Sequence, residues 1–297
     1  MDKVYIDSIG SYNRLYGLTT KHPLVAAVDL RECSHYANNI EIKSDLYGLF
    51  LKNTPYCSLK YGRKNYDFQA GTVVSMSPGQ VVAMNIAPDE ISLDVFGIVF
   101  HPDLIYGTTL ADTIDQFNFF SYSELESLHL SEKEREKFLF YFNIIREELE
   151  SPIDSHSAAL IATNIQILLE HLQRFYDRQF TTRHKANAGI VGDFENNLKQ
   201  YFSAENLSAT PTVAMFAERA SLSVGYFSDL IKKETGSTPK DIIDLFLISE
   251  AKKRLRATND DVSIIAYSLG FDYPAHFTRL FKRVEGITPT EYRTKLN

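Results

Sequence analysis

The spacing of apolar positions changes along the chain and divides it into stretches of different character. From Pro23 to about Tyr106 the apolar residues fall in short β-rich runs: LVAAVDL, LYGLFLK, CSLKYG, NYDFQ, GTVVSMS, QVVAMNI and ISLDVFGIVF. Breakers such as Asn38-Asn39, Gly62, Gly71, Pro78-Gly79 and Pro88-Asp89 separate them. Several short strands at this spacing predict a sandwich or barrel. From about Thr108 to Phe180 the period becomes helical, over LADTIDQFNFF, then Ser131 to Glu150, then Ser155 to Phe180. Leu160, Ile161, Ile165, Leu168, Leu169, Leu172 and Phe175 make a stripe wide enough to require burial, either against the strands or against a second subunit. Phe138, Phe142 and Ile145 do the same on the preceding helix. Ahead of the strands, the aromatic segment Ile9 to Tyr16 predicts an arm or a small helix.

Thr181 to Gly189, TTRHKANAG, lacks apolar periodicity and reads as an interdomain linker. Helical spacing resumes at Asp193 to Phe202, where Phe194, Leu198, Tyr201 and Phe202 share one face. Beyond it the chain repeats itself. Phe227-Ser228-Asp229-Leu230-Ile231-Lys232-Lys233, then Gly236 and Thr238-Pro239, recurs as Phe277-Thr278-Arg279-Leu280-Phe281-Lys282-Arg283, then Gly286 and Thr288-Pro289, at a constant offset. A short amphipathic segment precedes each copy: Val213, Phe216, Ala217, Ala220 and Leu222 in the first, Val262, Ile265, Ala266, Leu269 and Phe271 in the second. Gly270 suits the left-handed residue that ends a helix, and Pro274 suits the first turn of the next. Each copy therefore predicts a helix-turn-helix. Between the copies, Pro239 to about Arg256 predicts a connecting helix, closed by the basic run Lys252-Lys253-Arg254-Leu255-Arg256.

These residues, and above all Leu269-Gly270-Phe271, Phe277-Thr278-Arg279, Phe281-Lys282, Gly286, Thr288-Pro289 and Tyr292-Arg293, resemble the AraC-type (AraC/XylS) bacterial transcription regulators over roughly residues 190–297. The resemblance implies tandem helix-turn-helix units joined by a linker helix, with double-stranded DNA and RNA polymerase as partners. It implies base-edge contacts from Ala275, Thr278 and Arg279 and a phosphate contact from Lys282 in the second unit. In the first unit the matched positions are Gly225, Ser228 and Asp229, with Lys232 on phosphate. The sequence departs from the family at Phe246, where Arg is frequent, and at Asp229, where a neutral or basic residue is usual; both bear on affinity rather than fold. The strand region resembles the cupin-like sensor domain of many such regulators, on Gly71, Pro78-Gly79 and Phe100-His101-Pro102-Asp103-Leu104. That implies a small effector inside a jelly roll, in a cavity to which Tyr47, Phe50, Tyr61, Tyr66 or Phe68 would be suited; the same aromatics suit plain core packing. Homodimerisation through the helices after the strands is implied too.

Charge supports this division. The whole chain carries −7, but residues 1–180 hold 15 Lys and Arg against 24 Asp and Glu, and residues 181–297 hold 16 against 14. The acidic pI thus hides a mildly basic C-terminal part. Cys33 and Cys57 form no CxxC pair and read as reduced thiols. The strand region offers His22, His35 and His101, with no HxH pair, so the histidine and carboxylate cluster of a metal-dependent cupin enzyme is missing. No GxSxG, P-loop or dinucleotide fingerprint appears. No signal segment and no apolar run of membrane-spanning length is seen, which predicts a cytoplasmic protein.

The expected architecture is α+β: a cupin-like effector and dimerisation domain over residues 1–180, helical from about 108, a linker over 181–189, and an all-α DNA-binding domain over 190–297. The expected function is a sequence-specific, effector-responsive transcription regulator, a homodimer without catalytic residues, metal or cofactor. The alternatives are a cupin-type metal enzyme fused to a DNA-binding module and a regulator controlled by a protein partner.

Overall fold

The computed structural model describes residues 2–34, 40–52, 71–84, 94–123, 126–182, 184–202 and 207–295. Its two compact units are residues 1–182 and 183–297.

The first unit runs β1 (Asp2–Ile6), α1 (Ile9–Tyr16), β2 (Val25–Asp29), β3 (Ile40–Ser44), β4 (Tyr47–Lys52), β5 (Thr72–Met76), β6 (Val81–Met84), β7 (Val95–Phe100), α2 (Thr109–Thr113), β8 (Leu128–His129), α3 (Glu132–Glu150) and α4 (Ser157–Thr182). Its strands form two sheets, ordered β1-β3-β6 and β2-β7-β4-β5-β8. Strand β7, VFGIVF, is buried at every position, because both faces of its sheet are covered. On one face Phe96 meets Phe142 of α3, with ring centroids 5.4 Å apart. On the other, Val95 and Val99 join a cluster with Ile6, Ile9, Tyr12 and Ile42.

Five of the seven expected runs carry a strand; CSLKYG and NYDFQ, with Cys57, Tyr61, Tyr66 and Phe68, lie outside the described residues. Of the candidate cavity aromatics within them, Tyr47 stacks on Phe100 at 5.0 Å and meets Phe120 edge-on at 5.1 Å, which is core packing. The ring of Phe50 lies on Gly48 and Gly97, where an added Cβ would come within 2.7 Å and 2.6 Å of it. Cys33 is buried beside Tyr12 and Tyr16; burial, then Asp29 and Glu32, push its thiol up to about 11. It stays a protonated core residue near neutral pH.

The structure adds β1, β3 and the two-residue β8 to the expected strands. β1 pairs in parallel with β3, Asp2 opposite Ile40, so no hairpin turn announces it. α1 occupies the expected Ile9–Tyr16, opened by a reciprocal Ser8 and Ser11 capping box and closed by Gly17 at φ +66°. The helix expected over LADTIDQFNFF shrinks to Thr109–Thr113 followed by two 3-10 turns. Phe119 and Phe120 in the last of these turns are both buried. In α4, Ile161, Ile165, Leu168, Leu169 and Leu172 are fully buried within the unit, whereas Leu160 is exposed. Gln179 and Arg178 at its C-terminal end satisfy the backbone around β8: His129 N–H donates to Gln179 Oε1 at 2.9 Å, and Arg178 donates to His129 O at 2.8 Å.

The second unit is helical: α5 (His184–Phe202), α6 (Val213–Arg219), α7 (Val224–Thr235), α8 (Pro239–Ala257), α9 (Val262–Ser268), α10 (Pro274–Glu285) and α11 (Pro289–Thr294). The linker expected at 181–189 differs: Thr181 and Thr182 finish α4, and residues 184–189 are the first turns of α5. That stretch has no apolar stripe to reveal a helix, yet Asn187 is buried and donates to Glu234 of α7 at 3.2 Å. α8 is the hub, packing against α5, α7, α9, α10 and α11. No described helix is long and apolar enough to cross a membrane.

Candidate nucleic-acid interface

Both repeats fold alike down to their caps. In the first, the chain leaves α6 through Ser221 at φ +57°, and Leu222 N–H reaches back to Ala217 O at 2.9 Å. In the second it leaves α9 through Gly270 at φ +81°, and Phe271 N–H reaches Ala266 O at 3.1 Å. Each is a left-handed helix exit whose following apolar residue turns inward. The second helices of the two units, α7 and α10, end on Gly236 and Gly286, at φ +77° and +78°, with the glycine N–H on Lys232 O and Lys282 O. Thr238 and Thr288 then cap the next helices, each followed by Pro in the first turn.

Two differences separate the units. From the left-handed residue to the repeated phenylalanine of the following helix, the second turn is one residue longer, Gly270 to Phe277 against Ser221 to Phe227. Among the described residues, Ser221 is also the one non-glycine residue at positive φ. A β-carbon there costs roughly 1 kcal/mol. Ser221→Gly is therefore expected to raise stability by about 0.5 to 1 kcal/mol with unchanged DNA affinity, read from urea unfolding and a gel shift.

The outer faces carry the candidate residues. On α10, Phe277 and Phe281 are buried, Leu280 and Thr278 are half-buried, and Ala275, Arg279 and Lys282 are exposed. Among the described residues Arg279 makes one long contact to its own helix, Nε donating to Ala275 O at 3.4 Å, and its side chain is exposed. On α7, Gly225, Ser228 and Asp229 are half-buried and Lys232 is exposed. Ser228 Oγ donates to Val224 O at 2.7 Å, leaving its oxygen as an acceptor on the surface, and Asp229 engages a neighbour within the fold. Exposed Val224 on α7, and Tyr273 and His276 at the start of α10 with rings 5.5 Å apart, lie next to these positions. The sequence reading omitted them; the one extra residue between Phe271 and Phe277, against Leu222 and Phe227, was the signal available.

The scaffold beneath uses most of its cations internally. Buried Asp244 of α8 takes ion pairs from Lys240 and from Arg283 of α10. In the basic run, Lys252 pairs with Glu285 at 2.9 Å, Lys253 with Glu250 at 2.9 Å, Arg254 donates to Ser268 Oγ at 2.7 Å, and Arg256 donates to Tyr292 Oη at 2.6 Å. Lys252, Arg254 and Arg256 are thus struts between α8 and its neighbours, beyond the dipole role their position suggests, while Lys253 pairs within α8. Capping Thr288, Glu291 is held below the usual carboxylate range by the Thr288 N–H and hydroxyl. Among the described residues no group of three His, Cys, Asp or Glu is placed to hold a metal ion.

Comparison with known proteins agrees with this geometry. A family model described as a helix-turn-helix domain matches residues 216–295. The HTH-type transcriptional regulator YisR of Bacillus subtilis (strain 168) is 27% identical over 128 residues, 43% of this chain and 43% of that protein. The chain thus spans less than half the length of that relative. The Transposon Tn10 TetD protein of Escherichia coli is 31% identical over 136 residues, which cover 44% of this chain and 83% of TetD. A solved transcriptional regulator from Chromobacterium violaceum, described as having an AraC-type DNA-binding domain, is 22% identical, with a TM-score of 0.27, over 29% of this chain and 76% of that one. With its repeated units and the length of TetD that it shares, the chain belongs to the AraC-type regulators.

Proposed function

We propose that the chain is a sequence-specific DNA-binding transcription regulator in which α7 and α10 enter successive major grooves. The observation that carries this reading is the pair of helix-turn-helix units, each with an outward face of small, polar and charged residues, joined through one helix. α8 has 19 residues, about 28 Å at 1.5 Å per residue, comparable with the roughly 34 Å between successive grooves on one side of DNA once the flanking turns are added. Ala275, Thr278 and Arg279 read base edges and Lys282 binds phosphate; Gly225, Ser228, Asp229 and Lys232 occupy the same positions in the first unit. RNA polymerase is the expected partner on DNA. The first unit is the seat of effector binding and of dimerisation.

In a gel shift against a selected operator, with excess random-sequence competitor, operator binding is expected to survive and to weaken steeply with salt, because each neutralised phosphate releases counterions. Equal binding to both DNAs would overturn the reading.

Dimerisation is left only the edge of the stripe that the sequence singles out, since Leu168 and Leu172 are spent inside the unit. The available face joins Phe140 of α3 to Leu160 and Ile167 of α4, all exposed, beside the Tyr141, His171 and Phe175 rings. Ile167→Asp is expected to give a folded monomer by sedimentation, whereas Leu172→Asp is expected to unfold the unit by burying a charge. A wild-type chain that sediments as a monomer at micromolar concentration would exclude the dimer.

A further inference from the structure

A cavity of about 190 Å³ lies between the exit of α1, strand β2 and helix α3. Asn13, Lys21, Glu32 and Arg146 line it together with Leu18 and Leu149. β2 is the end strand of its sheet, so along the cavity its backbone faces no other strand among the described residues. The volume is below the roughly 300 to 1,000 Å³ of sites for drug-sized ligands, and corresponds to about six waters or one compact organic molecule.

Asn13 makes this more than a surface dent. It is 2% exposed, and its Nδ2 donates to Thr20 Oγ1 at 3.0 Å, but among the described residues its Oδ1 has no hydrogen-bond partner. A buried amide oxygen left without a donor is destabilising, and a ligand donor would offset that cost. At the rim, Arg146 donates to Glu32 at 2.7 Å and lies 3.9 Å from buried Asp29, and Lys21 pairs with Glu150. Asp29 is itself held by Arg31, and its carboxyl stays below the usual range against the opposing effect of burial. Cations and carboxylates at the rim therefore balance.

We propose that this cavity binds a free α-amino acid with a short apolar side chain. A lone anion or a lone cation meets a rim of no net charge and gains little from it. A zwitterion exchanges the Arg146 and Glu32 pair for two new ones: its carboxylate accepts from Arg146 and Lys21, and its ammonium donates to Asn13 Oδ1 and Glu32. The side chain then lies against Leu18 and Leu149. The cavity's occupancy stands independently of DNA binding; its use as the effector site rests on the regulatory reading above.

The test is isothermal titration of the full chain with L-leucine in the absence of DNA, beside 4-methylpentanoate, which lacks the ammonium, and 3-methylbutylamine, which lacks the carboxylate. Saturable heat is expected for leucine, with binding at least tenfold weaker for either analogue and at least tenfold weaker in Asn13→Ala and Arg146→Gln. Thermal unfolding of both variants checks that they fold, and Arg146→Gln, at the half-exposed rim, carries the test if Asn13→Ala does not. No heat at millimolar leucine, analogues that bind as tightly, or a folded Arg146→Gln that binds like wild type would each overturn the proposal. A gel shift with and without leucine separates the two claims: an operator complex indifferent to leucine removes the regulatory role and leaves the site.

Discussion

Gly270→Ala is expected to destabilise the second unit by about 2 to 5 kcal/mol, the sum of a roughly 1 to 2 kcal/mol left-handed backbone cost and a roughly 1 to 3 kcal/mol overpacking cost. The backbone part follows from φ +81°. The packing part follows from Ala209, whose carbonyl would collide with the new Cβ and whose Cα would stand 2.8 Å from it. Those are main-chain atoms, fixed on both sides: Tyr201 Oη donates to Ala209 O at 2.9 Å, and Leu207 N–H donates to Ser268 O at 2.9 Å. Gly286 supplies the control, because it shares the positive φ, +78°, while nothing lies within 4 Å of its missing Cβ. Gly286→Ala is expected to cost only about 1 kcal/mol. Urea unfolding of both variants decides the matter, and equal losses would mean that the segment at Ala209 yields to the added methyl group.

Arg279→Ala is expected to weaken operator binding at least tenfold, about 1.4 kcal/mol, without changing the unfolding midpoint. Its guanidinium is exposed and makes a single long bond to its own helix, so truncation removes little from the fold. On DNA the same group can pair bidentately with guanine O6 and N7 or bind phosphate, each worth about 1 to 3 kcal/mol. Its counterpart Asp229 is repelled by the backbone phosphates unless a cytosine amino group donates to it. Asp229→Ala is thus expected to leave affinity unchanged or raise it, with a relaxed preference at one base pair. Measurements with one operator at one salt concentration compare the two. A larger loss from Asp229→Ala would make the first unit the principal reader.

The C-terminal fold was legible because its signals are local and duplicated. Phe227 and Phe277, Gly236 and Gly286, and Thr238-Pro239 and Thr288-Pro289 mark an inward ring, a helix exit and a helix start, and the structure puts each pair to the same use. What escaped were long-range partners. Nothing near Asp244 announces that it is buried under Arg283, 39 residues on, and nothing in the basic run names Glu285, Ser268 or Tyr292 as its destinations. In the first unit, parallel pairing hid β1 and β3 despite the clean alternation of IEIKS. The α4 stripe was visible as apolar, but period alone could not separate buried Leu168 from exposed Leu160 and Ile167. The outward positions on α7 and α10 came from the resemblance to other regulators, and their accessibility agrees with that assignment without testing it.

The ring of Phe50, seated on Gly48 and Gly97, ties three positions into one inherited unit. Phe50 faces Gly97 directly across the β4 and β7 ladder. A side chain gained at either glycine would drive the ring into the Ile42, Leu46 and Val99 cluster, while a small residue in place of Phe50 would leave two bare stretches of strand with nothing above them. Mutational drift along β4 and β7 is therefore obstructed one step at a time. Descendants of this sequence should keep all three residues or exchange them together, so that the history of the sheet is written in coordinated rather than solitary changes.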